Sequence, residues 1–262
     1  MNYGLYLSAM GVLANMHRQD VAASNLSNVQ TDGFKRNLAM FDARPPESAE
    51  DGPADLAHPL LDRIGGGIQI APTQIDLSEG TLRQTGRELD VALEGPGFFA
   101  VQTESPDGGT AQRLTRDGRW TLAASGELVT VTGGFKLLGE NGLPVRIDPA
   151  EGKLSIDQTG RISQAGEPIG RLRLLDAPAE ALKQLGQGLF EHDPKRADAL
   201  RPATVDGGTV VRQGHLEGSN VDPIKELMNL IAATKAVTRN GNMIRYHDRV
   251  MDRAVNVLGR VG

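Results

Sequence analysis

Residues 3–29 read YGLYLSAMGVLANMHRQDVAASNLSNV, and apolar side chains recur through this stretch at alternating steps of four and three residues. The recurring positions are Leu5, Ala9, Val12, Met16, Ala23 and Leu26, with one polar interruption at Gln19. This spacing places them on one face of an α-helix ~40 Å long. The other face carries His17, Arg18, Asp20 and Asn25, so the stretch predicts an amphipathic helix with one side for burial.

The far end of the chain has the same pattern. Its stripe comprises Leu227, Leu230, Ala233, Val237, Asn240, Ile244, His247, Met251, Ala254 and Leu258. Asn220 or Asp222 can cap this helix, and Pro223 suits its first turn. Neither helix can bury its stripe alone. The two helices therefore either pair within one monomer or share their seam with neighbouring copies of the chain.

The middle of the chain alternates apolar and polar residues over short runs such as LDVAL at 89–93 and RWTL at 119–122. Turn pairs such as Asn141-Gly142 separate the runs, as expected for short antiparallel strands. Residues 117–133 and 151–166 resemble each other, with Gly126 matching Gly160, and predict two similar hairpins. The fold class is therefore predicted to be α+β, with the terminal helices pairing as a coiled-coil-like layer around a mainly antiparallel β middle.

These patterns divide the chain into three predicted parts. Residues 1–36 and 217–262 form a discontinuous helical core, residues 37–85 and 177–216 a linker with an inner β region, and residues 86–176 an outer β domain. Within the second part, residues 44–67 hold several prolines and a Gly65-Gly66-Gly67 triplet, which predicts an extended segment. We expect a fragment of about residues 80–215 to fold without the two ends.

Composition excludes several classes of partner. The formal net charge is -5 without a dense basic cluster, which argues against nucleic acid. The absence of cysteine excludes disulfides and thiolate metal sites. No apolar run is long enough to span a membrane, and the first residues do not resemble a cleaved signal peptide. The chain is thus either cytoplasmic or exported by a route that cleaves no signal.

Candidate chemistry is sparse. Asp55, His58 and Asp62 have the spacing closest to a metal site, but they lie in the proline-rich segment. Asp90 and Glu94 could be drawn as an acid–base pair, yet their strand spacing places both on one solvated face. No nucleophile motif is present. We therefore expect no cofactor, no metal and no enzymatic activity. A metal-dependent or cell-wall hydrolase using Asp55, His58 and Asp62 remains an alternative, as does a membrane-binding module using the first helix.

The end of the first helix carries a specific resemblance. Residues 24–36, SNLSNVQTDGFKR, closely resemble the N-terminal signature of the bacterial flagellar rod and hook family. Residues 89–101 (LDVALEGPGFFAV), 114–118 (LTRDG) with 126–130 (GELVT), and 216–223 (LEGSNVDP) resemble further family motifs, in the family's order. The length and the last segment look most like proximal rod subunits, then distal rod subunits, then hook proteins.

The resemblance implies a structural subunit of the flagellar basal body, in the periplasmic rod. Its implied partners are copies of itself, other rod and hook proteins, and the flagellar type III apparatus, which would export it without a cleaved signal. The helix ends then become the expected assembly interface. Its predicted residues are Leu5, Ala9, Val12, Met16, Asn25, Leu26, Asn28, Gly33, Phe34, Asn220, Leu227, Ile231, Val237, Ile244, Met251 and Leu258.

Overall fold

The computed structural model describes residues 3–43, 67–104, 108–193, 196 and 199–258. These residues include two α-helices, α1 (Tyr3–Ser27) and α2 (Pro223–Leu258). The strands between them are β1 (Asn37–Leu38), β2 (Phe41–Ala43), β3 (Ile68–Ile70), β4 (Gln74–Ile75), β5 (Leu82–Gln84), β6 (Val91–Glu94), β7 (Phe98–Glu104), β8 (Thr110–Thr115), β9 (Trp120–Leu122), β10 (Leu128–Thr130), β11 (Lys136–Leu137), β12 (Leu154–Ile156), β13 (Arg161–Gln164), β14 (Glu167–Arg171), β15 (Leu174–Asp176), β16 (Leu182–Gly186), β17 (Leu189–His192), β18 (Arg201–Pro202), β19 (Val210–Gln213) and β20 (His215–Glu217). The α+β class is confirmed, with helices at both ends of a mainly antiparallel β middle.

The chain forms two compact units. The helical unit comprises Met1–Ser27, Asn37–Gln74 and Asp222–Gly262, and the β unit comprises Asn28–Arg36 and Ile75–Val221. Each unit is therefore discontinuous in sequence. Within the helical unit, β2 and β3 pair antiparallel, and Gly67, which precedes β3, lies against Tyr6 and Leu7 of α1.

Helix α1 packs antiparallel along α2 in the helical unit. A methyl group added to Gly4 would lie 3.0 Å from His247 Nε2, and one added to Gly11 would lie 2.7 Å from Asn240 Nδ2. The two contacts are seven residues apart on each helix, the step at which a helix face repeats after two turns. The absence of side chains at Gly4 and Gly11 is what allows the helices to approach so closely.

The buried stripe predicted for α1 is displaced by one residue from the observed one. Gly4 and Gly11 face α2, and Ala14, Ala22 and Asn25 are buried, whereas the predicted Ala9, Met16 and Ala23 are exposed. One residue corresponds to about 100° around a helix. The prediction followed the large apolar side chains, while the helix buries its small residues, which contribute little to an apolar pattern. On α2 the predicted stripe agrees better, since Leu230, Ala233, Val237, Asn240, Ile244, His247 and Ala254 are buried or half-buried.

The start of α2 is set by Asp222. Its Oδ1 accepts hydrogen bonds from the backbone N–H groups of Ile224 (3.0 Å) and Lys225 (3.2 Å), which no residue within the helix can pair. These bonds, the one from Lys225 foremost, lower the pKa of the Asp222 carboxyl. Of the two caps that the sequence allowed, Asp222 is therefore the one used.

The β unit is built on a nine-stranded sheet with the order β16-β17-β8-β7-β11-β10-β9, in which β15 also pairs with β7 and β18. A three-stranded sheet, β12-β13-β14, and the strand pairs β6–β19 and β5–β20 complete it. All of these pairings are antiparallel. One hydrophobic cluster surrounds Phe99 and Trp120, whose rings meet edge to face at 5.4 Å, and a second surrounds Phe98 and Phe190.

Two antiparallel strand pairs occupy the sequence repeat. Leu128 pairs with Leu122 in β9–β10, and Ile156 pairs with Ile162 in β12–β13. Gly126 and Gly160 lie in the connections, with φ angles of 77° and 79° that favour glycine.

Glu127, beside Gly126, lies at the centre of a surface ion-pair network. Lys136 Nζ is 2.9 Å and Arg146 Nη2 3.2 Å from its carboxylate, and Ser125 Oγ donates to it at 3.0 Å. Hydrogen bonds from Lys136, Ser125 and Arg146 lower the pKa of Glu127 from 4.5 to about 2. The network ties the β9–β10 turn to β11 and to Arg146.

This depressed pKa predicts a pH-dependent contribution to stability. A carboxylate whose pKa is lower in the folded state stabilises the fold fully above the unfolded pKa, 4.5, and progressively less as the pH falls toward about 2. We expect Glu127→Gln to lower the urea midpoint of the β unit at pH 7, and the difference from wild type to narrow below about pH 4.5. Glu140→Gln, at an exposed carboxylate, is the control. A Glu127→Gln deficit that stays constant from pH 7 to 3 would contradict this assignment.

The glycines of the two helices predict opposite responses to alanine. Gly241 lies inside α2 with nothing within 4 Å of an added methyl group, so Gly241→Ala should stabilise the helical unit by about 1 kcal/mol. Gly11→Ala brings the same gain in helix propensity but places its methyl group against Asn240, so we expect no net gain. Thermal melting followed at 222 nm measures both. Equal stabilisation by the two substitutions would contradict the close helix contact at Gly11.

Candidate functional site

The two segments that flank the helices in sequence, Asn28–Arg36 and His215–Val221, meet inside the β unit. The backbone N–H of Gly33 donates to the carbonyl of Glu217 at 2.7 Å, and the N–H of Asn220 donates to the carbonyl of Phe34 at 3.4 Å. The residues that follow α1 and those that precede α2 are therefore hydrogen-bonded to each other. We call this place the junction.

A buried ionic cluster of Lys35, Arg116 and Glu217 lies at the centre of the junction. Lys35 Nζ is 2.7 Å from Glu217 Oε1, and Arg116 Nη1 is 3.0 Å from Glu217 Oε2. The three side chains are only 1%, 3% and 1% exposed, for Lys35, Arg116 and Glu217 respectively. One carboxylate thus pairs with two cations where water cannot reach them, so the cluster keeps a net positive charge.

Backbone groups also form hydrogen bonds with the side chains of the cluster. Lys35 Nζ also donates to the carbonyl of Ser78 at 2.7 Å, and the N–H of Gly80 donates to Glu217 Oε1 at 2.9 Å. Arg116 Nη2 donates to the carbonyl of Gly95 at 2.7 Å. Because burying a charge is costly unless it is paired and hydrogen-bonded, these partners are what makes the cluster tolerable, although the buried Nε of Arg116 has no partner among the described residues.

The electrostatics of the cluster point to a structural role. Burial lowers the pKa of the Lys35 ammonium, and the adjacent Glu217 carboxylate opposes that shift. The carboxylate is saturated by donors and enclosed, so no substrate can approach it. The cluster fixes the position of backbone segments, and nothing in its geometry equips it for proton transfer.

Gly33 and Asn220 complete the junction. Gly33 has a φ of 71°, and a methyl group there would lie 2.3 Å from the backbone carbon of Arg116, so only glycine fits. Asn220 Oδ1 accepts from the N–H of Arg36 at 2.7 Å, and its Nδ2 donates to the carbonyl of Asp76 at 2.9 Å. Asn220 therefore links three chain segments instead of capping α2.

Asn25 has a comparable role in the helical unit. Its Nδ2 donates to the carbonyl of Asn37 at 2.8 Å, and its Oδ1 accepts from the N–H of Asn37 at 2.9 Å. The sequence-based assignment of Asn25 to the solvated face of α1 is wrong, because this reciprocal bond buries the side chain to 1% exposure. Asn25 anchors the chain where it returns to the helical unit.

The predicted interface residues divide by burial. Asn25, Gly33 and Phe34 are buried against other parts of the same chain, and Asn28 is half-buried, with its Oδ1 accepting from Thr31 Oγ1. Among the others, Leu5, Val12, Leu26, Val237, Ile244 and Asn220 are half-buried, Ala9, Met16, Leu227, Ile231 and Met251 are exposed, and Leu258 is the last residue of α2.

The exposed members on α2 extend into a larger apolar surface, which we call the outer face of α2. It consists of Ile224, Leu227, Met228 and Ile231, whose side chains are 71%, 48%, 65% and 47% exposed. Their spacing of three, four and seven residues places them on one side of the helix, whereas Glu226 and Ala233 between and beyond them are buried. Met228 and Ile224 were not among the predicted interface residues, although the same periodicity includes them.

Lys35, Arg116 and Glu217 were missed as site residues. All three lie within the motifs that carry the family resemblance, but Lys35 and Glu217 are 182 residues apart in sequence and no local spacing connects them. The one available signal is a charged residue inside an otherwise apolar or turn-forming motif. The fragment of about residues 80–215 that was expected to fold alone lacks Lys35 and Glu217, so it would leave Arg116 buried without its carboxylate.

The predicted chemical alternatives gain no support from the described residues. Asp90 is buried, 3.7 Å from Arg87 Nε, and so does not share a solvated face with Glu94, which is half exposed and pairs with Arg212. Asp55, His58 and Asp62 lie outside the described residues. Within the described part of the chain no group of three or more His, Cys, Asp or Glu side chains could hold a metal ion. Neither described helix combines the length and apolarity that crossing a membrane requires.

Three family models match the chain. "Flagella basal body rod protein" matches residues 5–35, "Flagellar hook protein FlgE/F/G D1 domain" matches residues 92–164, and "Flagellar basal body rod FlgEFG protein C-terminal" matches residues 212–257. The first and last matches contain Lys35 and Glu217, and the middle one contains Arg116.

Several curated proteins are similar to the chain over nearly its whole length. The flagellar basal-body rod protein FlgG of Buchnera aphidicola (subsp. Schizaphis graminum) is 30% identical over 95% of this chain and 97% of the relative. The rod protein FlgF of Rhizobium meliloti is 31% identical over 99% of both chains, and FlgF of Caulobacter vibrioides is 29% identical over 100% of both.

The ionic cluster predicts a large effect of one neutral substitution. Glu217→Gln removes the charge that pairs with Lys35 and Arg116, so we expect the free energy of unfolding of the β unit to fall by ~3–5 kcal/mol. Glu94→Gln is the matched control, because Glu94 forms an exposed pair with Arg212 at 2.8 Å, which contributes below about 1 kcal/mol. Urea unfolding followed by the fluorescence of Trp120, the single tryptophan, measures both. Similar losses in the free energy of unfolding for the two variants would show that the buried cluster stabilises the β unit no more than an exposed ion pair does.

Proposed function

This chain belongs to the family of flagellar basal-body rod proteins, and on that premise we propose that it is a structural subunit that polymerises through its terminal helices into a tubular shaft transmitting torque. The observation that carries the mechanism is the outer face of α2, a continuous apolar surface left uncovered in the monomer. Burying an aliphatic side chain contributes ~1.5–3 kcal/mol. Four such side chains therefore favour association over exposure to water.

The occupant of the outer face is a terminal helix of a neighbouring copy. Helix α1 exposes its own apolar side chains, Tyr6, Leu7, Leu13 and Met16, each at least about one-third exposed. A face of α2 that packs on a face of α1 from another copy is a heterologous contact. When its rotation does not close a ring, such a contact generates an open helical tube.

The antiparallel α1–α2 pair is the repeating element of the proposed tube. Its seven-residue contact spacing is that of a coiled-coil-like layer, and Leu5, Val12, Val237 and Ile244 are half-buried at or beside its seam. Asn25, Gly33, Phe34 and Asn220 contribute indirectly, because their internal bonds hold the chain where it enters and leaves the helices. The other rod and hook proteins are its further partners in this proposal.

We favour the proximal rod as its position and regard the distal rod as the alternative. The length of the chain and the segment Leu216–Val221 support the proximal position, while relatives named FlgF and relatives named FlgG both align over nearly the whole chain. Complementation separates the two: we expect the gene to restore swimming to a strain lacking its proximal rod subunit and not to one lacking its distal subunit.

The proposed location is the periplasmic part of the basal body. The family resemblance supports the proposal that the flagellar type III apparatus exports the protein without cleavage. Mass spectrometry of the protein recovered from purified basal bodies tests this point. An N-terminus that begins downstream of residue 2 would contradict export without cleavage.

Substitution of the outer face tests the assembly mechanism. We expect Leu227→Glu with Ile231→Glu to abolish swimming in soft agar and incorporation into basal bodies, because it removes about 1.5–3 kcal/mol of apolar burial at each contact and places two charges there. The far-UV circular dichroism of the monomer should be unchanged, since both side chains are about half exposed. Leu143→Glu, at a residue of the β unit that is 63% exposed, is the control and should swim. Wild-type swimming by the double variant would refute the proposed interface.

A further inference from the structure

We propose that the β unit is gated by its last segment: its core does not form until residues 215–221 are in place, because Glu217 is the carboxylate that pairs with two cations buried in that core. The ionic cluster is then a folding checkpoint of the single chain, independent of rod assembly, that joins the beginning and the end of the β unit.

The two cations lie far before their counter-charge in the sequence. Lys35 and Arg116 precede Glu217 by 182 and 101 residues. The other carboxylate that acts on Lys35 is Glu79, which is exposed and accepts from the N–H of Gly95 at 2.7 Å. Without Glu217, the packed core would therefore enclose two unpaired charges, a state that is strongly disfavoured.

The same late segment also supplies backbone partners to the core. Strand β19 pairs with β6 from Val210–Glu94 to Gln213–Val91, and β20 pairs with β5 from His215–Gln84 to Glu217–Leu82. Val91 and Leu93 of β6 are 1% exposed, and Val211 of β19 packs in the same hydrophobic cluster. A chain that lacks residues 210–217 thus has both unpaired charges and unpaired strand edges at its centre.

The order of events follows from these two deficits. A core that is closed while the junction is open contains both unpaired charges and unpaired strand edges, so it is too unstable to accumulate. Closure of the junction must accompany or precede burial of Trp120, which lies at 1% exposure in the main hydrophobic cluster. The chain therefore stays unfolded in this unit until nearly all of it is available.

Refolding of the full chain tests the proposal, with the fluorescence of Trp120 as the reporter of core closure. If the cluster is formed in the transition state, Glu217→Gln slows refolding by about tenfold or more and changes the unfolding rate by less than about threefold. Glu94→Gln, whose exposed pair with Arg212 also joins β6 to β19, should leave both rates within about threefold of wild type. The outcome that overturns the proposal is unchanged refolding with faster unfolding, since the core would then close before the cluster forms.

A second variant keeps the test decisive if Glu217→Gln does not fold. Lys35→Met removes one cation and leaves the pair of Glu217 with Arg116, so it disturbs the cluster less. We expect it to slow refolding by several-fold while unfolding changes little. Faster unfolding with unchanged refolding, or no change in either rate, overturns the proposal.

Discussion

The fold of the β unit depends on the side-chain carboxylate of Glu217. This carboxylate pairs with Lys35 and Arg116 at a point where three distant parts of the chain meet, and the backbone carbonyl of Glu217 also accepts the N–H of Gly33. Apolar residues of similar volume often serve stability as well as a buried ion pair does. What the cluster adds is specificity, because Glu217 meets its two cations only when these three segments are brought together.

The existence of the helices and of the antiparallel strands was predictable because both depend on local periodicity. A pattern repeated over the 36 residues of α2 predicts which side of that helix is buried. Helix α1 was harder, because Gly4 and Gly11, which face its partner, and the buried Ala14 and Ala22 carry little apolar surface. Close approach of two helix backbones favours the smallest side chains at the contact. A prediction that relies on large apolar residues therefore places the buried face of such a helix one residue away from its observed position.

The candidate site was predictable in place and not in chemistry. The segments that form the junction were singled out by their motifs, yet the pairing of Lys35 with Glu217 depends on a contact between residues far apart in sequence. Asn25 was assigned to solvent because amides usually lie there, whereas its two hydrogen bonds to Asn37 satisfy it internally. Asn220 and Asp222 were both candidates for the cap of α2, and Asp222 is the one that takes that role.

Because one carboxylate pairs with two cations, substitutions at the three positions of the ionic cluster depend on one another. A neutral residue at 217 alone leaves two buried cations unmatched, and one at 35 or 116 alone removes one of the two partners of Glu217, while a joint replacement by apolar residues leaves no buried charge. Substitutions at these positions should therefore be correlated among related sequences, even though 182 residues separate the outermost two. Substitutions at exposed ion pairs, such as Glu94 with Arg212, can accumulate without such a correlation.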